Sequence, residues 1–170
     1  NRYVAGVLNG AGIATFLFDL LTETEEAEDL RTGQLRFDIP LLAERVAGAT
    51  DWVVEDSRTR DLRIGYFGAS TGAAAALVAA ADRDEVAAIV SRGGRPDLAG
   101  EALGRVRAPT LLIVGGRDTL VIDLNESAQR EMRAHTELRI IAGASHLFEE
   151  PGALEQVAKL AAEWFGRHLD

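Results

Sequence analysis

Cysteine is absent from all 170 residues, which removes disulfides, thiolate metal sites and a cysteine nucleophile at once. Lysine is nearly absent as well: Lys159 stands alone, and the rest of the basic charge is arginine. Basic residues number 18 against 27 acidic ones, for a formal net charge of −9 and a pI near 4.9. Such a chain lacks the clustered Lys and Arg that displace counterions from phosphates, so a nucleic-acid partner is excluded. Anionic lipid is disfavoured for the same reason. No apolar run approaches membrane-spanning length and no basic segment precedes a short apolar one, so neither anchor nor signal peptide is read, and a cytoplasmic location is expected. Aromatic residues make up only 6%, which offers no obvious large apolar cavity. No G-x-G-x-x-G follows a strand, which argues against a dinucleotide-binding domain. Asn125-Glu126-Ser127 matches a glycosylation sequon, but it falls within a helical stretch and is read as coincidence.

What is present is ordinary for a globular protein: 47% hydrophobic and 26% charged residues, in a length that suits one domain with a substantial core. No repeat, low-complexity tract or linker interrupts residues 1–170, which are read as a single domain. "NRYVAGVLNGAG" reads as a helix end, with Tyr3, Val4, Val7 and Leu8 on one face. "IATFLFDL" is apolar on both parities, as a strand covered on both faces would be. The acidic "LTETEEAEDLRTGQLRFD" is poor in apolar residues and is taken as an exposed loop, with cover for a site as a lesser alternative. A helix starts near Asp38, with Pro40 tolerated in its first turn. Thereafter strands at Leu62–Phe67, "EVAAIVSRGG", "PTLLIVGGRD" and "ELRIIAGASH" alternate with helices at Ser70–Ala81, "LVIDLNESAQREMRAH" and "GALEQVAKLAAEWFGRHL". "RPDLAGEALGRVRA" is a loop with a short helix. This alternation predicts an α/β fold, a mostly parallel sheet with helices on both faces.

Ligands of such sheets sit beyond the carboxyl ends of the strands. Three strands end in residues able to act together: Ser70, Asp118 and His146. Gly68-Ala69-Ser70-Thr71-Gly72 fits G-x-S-x-G at a strand-to-helix corner, where a sharp turn lifts the hydroxyl above the sheet. The helix that follows points its N-terminus at the site, so the backbone N–H of Thr71 can help hold an oxyanion. Serine needs a base to take its proton, and a neutral histidine oriented by a carboxylate supplies one. Each residue alone is a weak signal, since an isolated Asp after a strand is more often a turn or cap. His135 and His168 compete as the base but belong to helix ends, where a cation suits the dipole. Asp123, a helix position, competes with Asp118.

The segments "IGYFGASTGAAAAL", "PTLLIVGGRD" and "GASHLFEEPGAL" resemble the α/β-hydrolase superfamily, and within it the dienelactone-hydrolase-like group, over nearly the whole chain. The resemblance implies a serine hydrolase with Ser70 as nucleophile, His146 as base and then acid, and Asp118 as orienting carboxylate. No metal cluster is visible in the sequence, and this chemistry needs neither a metal nor a cofactor. Dienelactone hydrolases proper carry a cysteine nucleophile, so Ser70 points instead to a more general esterase-like activity. In that superfamily further strands precede the segment matching "NRYVAGVLNGAG". One of them lies between the strands matching "IATFLFDL" and "LRIGYFG" and ends in a His-Gly loop that supplies the second oxyanion N–H. This sequence has neither, so the resemblance implies upstream residues in the full protein, and half an oxyanion hole without them.

The expected substrate is a small ester, lactone or thioester. Arg92 and Arg95 in "SRGGRPD" follow a strand on the catalytic edge and could present a fork to a substrate carboxylate, or else pair with acidic loops. Two other functions fit the same residues: a non-catalytic binding or scaffold module, and an acyltransferase passing the acyl group to an alcohol or amine. Oligomeric state is not legible.

Overall fold

The computed structural model describes residues 1–169. Its centre is a four-stranded, all-parallel sheet in the order β1-β2-β3-β4, formed by β1 (Ile64–Ala69), β2 (Val86–Arg92), β3 (Thr110–Gly115) and β4 (Thr136–Ile141). The expected α/β architecture is thus the observed one. All six residues of β3 are buried, as an interior strand covered on both faces requires.

Two apolar layers sandwich this sheet. On one face pack α3 (Ile39–Glu55), α4 (Thr71–Ala80), the 3-10 segment Pro96–Arg105 and the end of α5 (Thr119–Glu131). On the other lie α1 (Arg2–Gly10) and α6 (Ala153–His168). Helix α4 is mostly alanine and is buried almost all round, so its backbone can approach the strands closely. Leu77, Ile89, Leu112 and Ile113 are fully buried, each contributing about 1.5–3 kcal/mol. Tyr66 of β1 shares a 2.6 Å hydrogen bond with Thr50 of α3, whose hydroxyl also bonds the Val46 carbonyl. Trp164 of α6 donates to the Pro109 carbonyl at 3.4 Å.

Two expectations require correction. Residues 13–20 form no strand. Phe16, Leu17 and Phe18 are 53%, 46% and 42% exposed, and β1, whose only ladder is with β2, is a sheet edge. An apolar segment becomes a strand only when a neighbour satisfies its backbone, and none of the described residues forms a ladder with residues 13–20 or with the outer side of β1. The acidic stretch, expected as a loop, contains α2 (Glu23–Thr32). Its start is a capping box: the Thr22 hydroxyl accepts from the Glu25 N–H, and the Glu25 carboxylate accepts from the Thr22 N–H at 2.7 Å. Arg45 of α3 then holds Glu25 at 2.8 Å, which ties α2 to the body. Helix content here comes from end chemistry and charge pairing, which apolar periodicity does not register.

Candidate active site

Parallel strands deliver their C-terminal loops to one edge, and Ser70, Asp118 and His146 all arrive there. Ser70 caps α4 with φ 52° and ψ −125°, a conformation strained for any residue with a Cβ. What allows it is space. A Cβ on Gly68 would stand 2.6 Å from the Ala73 Cα, so only glycine lets strand and helix meet this closely. Thr71 opens α4, where N–H groups have no intrahelical acceptor and face the serine's surroundings.

Asp118 begins α5 but does not use its carboxylate to cap it. Instead Oδ2 lies 2.6 Å from Nδ1 of His146. With Asp118 ionised, Nδ1 carries the proton and donates, which leaves Nε2 as an acceptor. Two further links hold the Asp and His loops together. The Arg117 N–H donates to the Ala144 carbonyl at 2.9 Å, and the Glu150 carboxylate accepts from the Ser145 N–H at 2.9 Å while pairing with Arg117. A Cβ on Gly115 would be 2.4 Å from the Ser145 carbonyl oxygen, so the histidine loop crosses directly over the end of β3.

The short loop 92–95 touches both Ser70 and His146. The Ser70 N–H donates to the Arg92 carbonyl at 3.3 Å, and the Ser70 carbonyl accepts from the Arg95 N–H at 3.2 Å. On its other side, a Cβ on Gly93 would be 3.6 Å from Cε1 of His146. Ser70 and His146 therefore flank the same loop, without a side-chain hydrogen bond between them among the described residues. The competitors are elsewhere. His135 precedes β4, at the opposite end of the strands, and stacks on Trp164, while His168 tilts against the same indole. Asp118, not Asp123, reaches His146.

The two arginines differ. Arg95 is forked onto Asp97 at 2.9 and 2.7 Å. Arg92 has no carboxylate within ion-pair distance among the described residues; its Nε is buried without an acceptor. Its guanidinium lies over the Phe148 ring, 5.8 Å from the centroid, and burial pushes its pKa below the ordinary arginine value. The end of the apolar segment before the acidic stretch also comes near: Leu20 would touch a Cβ on Gly72 at 3.6 Å. Sequence reasoning assigns no role to Glu150, although it lies within "GASHLFEEPGAL", nor to Asn125, which it reads only as part of a coincidental sequon. Among the described residues no group of three or more His, Asp and Glu is placed to hold a metal ion, and no helix is long and apolar enough to cross a membrane.

Comparison with known proteins gives a consistent frame. The profile of the dienelactone hydrolase family matches residues 11–169. A curated protein of Mycobacterium tuberculosis (strain H37Rv), provisionally named a phosphoribosyl transferase, is 61% identical over 99% of this chain and 38% of its own length. The chain thus spans well under half of that relative. The crystal structure of a dienelactone hydrolase from Anabaena variabilis has 62% identity and a TM-score of 0.97, over 100% of this chain and 79% of the other. The esterase domain of a Rhodothermus marinus protein, at 19% identity, shares the fold with a TM-score of 0.74 over 99% of this chain and 80% of its own.

Proposed function

Because the chain belongs to the dienelactone hydrolase family, we propose that it is a serine hydrolase of small carboxylic esters, lactones or thioesters. The observation that carries this reading is the 2.6 Å contact between Asp118 and Nδ1 of His146, beside a loop hydrogen-bonded to Ser70. In this mechanism Nε2 of His146 takes the Ser70 proton as Oγ attacks the carbonyl carbon. The Thr71 N–H stabilises the tetrahedral oxyanion, which collapses as His146 returns the proton to the leaving group. Water, deprotonated by the same nitrogen, then releases the acid and regenerates Ser70.

Arg92 is the substrate-binding group in this proposal, taking an anionic part of the substrate; the free, half-buried guanidinium supports that role. Arg95 already holds Asp97 and is left out of it. A transferase activity is not carried over from the M. tuberculosis relative, because the greater part of that protein has no counterpart here. A second reading, a weakly active or non-catalytic module of the same fold, is favoured by one observation: β1 is an open edge, and Thr71 is the only oxyanion donor assigned among the described residues.

The test is hydrolysis of p-nitrophenyl acetate and butyrate. The expected result is turnover that falls by about 10⁴-fold or more, to background, in Ser70→Ala. Turnover that survives Ser70→Ala would remove the serine mechanism, and no turnover in either protein would favour the second reading.

A further inference from the structure

Asn125 lies in the middle of α5 and is fully buried, a position where an apolar side chain is the usual choice. Burying an amide is unfavourable unless it is hydrogen-bonded, so its partners indicate what it is for. Nδ2 donates to the Val121 carbonyl of its own helix at 2.7 Å and to the Gly94 carbonyl, across the fold, at 3.0 Å. Both partners are acceptors, which fixes the amide orientation. The Gly94 bond reaches the loop that holds the strained serine.

That loop has little freedom. A Cβ on Gly94 would overlap Ser91 Oγ at 2.0 Å, so the buried Ser91 side chain fills the space beneath it. Gly93 donates to the Ile113 carbonyl at 2.7 Å. The loop's two ends make both cross-strand hydrogen bonds of the Ser70 backbone, from the Arg92 carbonyl and the Arg95 N–H. Asn125 holds the carbonyl of the same peptide whose N–H is that of Arg95.

We propose that Asn125 is a positioning residue for Ser70, acting through the Gly94–Arg95 peptide to hold the strained elbow in register with His146. The proposal rests on Ser70 being the nucleophile. It also couples the two halves of the site, since Asp118 is the N-cap of α5. Loss of the Gly94 bond frees the Arg95 N–H to move, and the Ser70 backbone relaxes away from φ 52°.

The experiment compares wild type, Asn125→Leu and the milder Asn125→Ser, with Ser70→Ala as blank. It measures the thermal midpoint and, well below it, p-nitrophenyl butyrate kinetics, fluorophosphonate labelling rate and amide exchange. Misplacement of a reacting group costs rate more than binding, so kcat and labelling are expected to fall about 10- to 100-fold with little change in KM. Exchange at the Arg95 amide is expected to rise about tenfold or more. A lowered midpoint with kcat and Arg95 exchange both near wild type would overturn the proposal and leave Asn125 a packing residue. If wild type neither turns over nor labels, the nucleophile reading fails by itself, and Arg95 exchange still decides whether Asn125 holds the elbow loop.

Discussion

Arg92 and Arg95 lie three positions apart and show how one residue type takes two roles. Arg95 meets Asp97 in a forked pair, whereas Arg92 keeps its charge half-buried against Phe148 without a carboxylate. A partly desolvated guanidinium is destabilising until an anion arrives, and a charged hydrogen bond to one is worth about 1.5–3 kcal/mol. The ratio of kcat/KM for mono-p-nitrophenyl succinate to that for p-nitrophenyl butyrate should therefore drop about tenfold or more in Arg92→Met. A ratio unchanged by the substitution would show that Arg92 balances a charge in the protein and does not select substrate. The spacing of the two arginines was legible from the sequence. Which of them would find Asp97 was not, because the choice depends on the turn after β2.

Among the elements, those with strong apolar patterns were the most readable. The four strands lie close to where Leu62–Phe67, "EVAAIVSRGG", "PTLLIVGGRD" and "ELRIIAGASH" predicted, and α4 follows Ser70 as the alanine run implied. Helix α2 was missed because its stability lies in the Thr22–Glu25 box. That origin has a consequence. Thr22→Ala should weaken α2 by about 1 kcal/mol, seen as faster amide exchange over Glu23–Thr32 with β3 unaffected. The box also depends on acid. Glu25 titrates below the ordinary glutamate range, first because of the Thr22 N–H and then through the Thr22 side chain and Arg45. Its contribution is complete above the unfolded-state value of 4.5 and fades as pH falls through the lowered one. Exchange over α2 should rise in that acidic window and not near neutrality. Equal protection of α2 in Thr22→Ala and wild type would show that docking through Arg45, not the cap, carries the helix. The error over residues 13–20 is of another kind: the apolar pattern is strand-like, but a strand also needs a partner that local sequence does not reveal.

That unpartnered segment bears on the whole molecule. Phe16 contacts Phe18 and Trp52 with ring centroids 5.3 and 5.2 Å away, Leu17 and Leu62 are exposed as well, and the outer side of β1 has no partner strand among the described residues. Open sheet edges and contiguous apolar patches both invite association. A strand laid parallel along β1 is expected to satisfy its outward amides and shield these apolar side chains, and it would end at the same sheet edge as Ser70, where the proposed mechanism calls for a second oxyanion donor. The Anabaena structure contains more chain than matches here, since 79% of it is covered. A polypeptide extended by its natural flanking residues is thus expected to bind less of a hydrophobic dye than the 170-residue chain. Its tryptophan emission should shift to the blue. The protein has two tryptophans and Trp164 is already fully buried, so that shift would report Trp52. Ester turnover should rise in the same protein, by up to the 10²–10³-fold that one oxyanion donor supplies. Dye binding and emission that match the short chain would mean the edge stays open in the longer protein. Covered aromatics without faster turnover would separate the two roles, leaving the added strand a structural partner and the oxyanion site served by Thr71 alone.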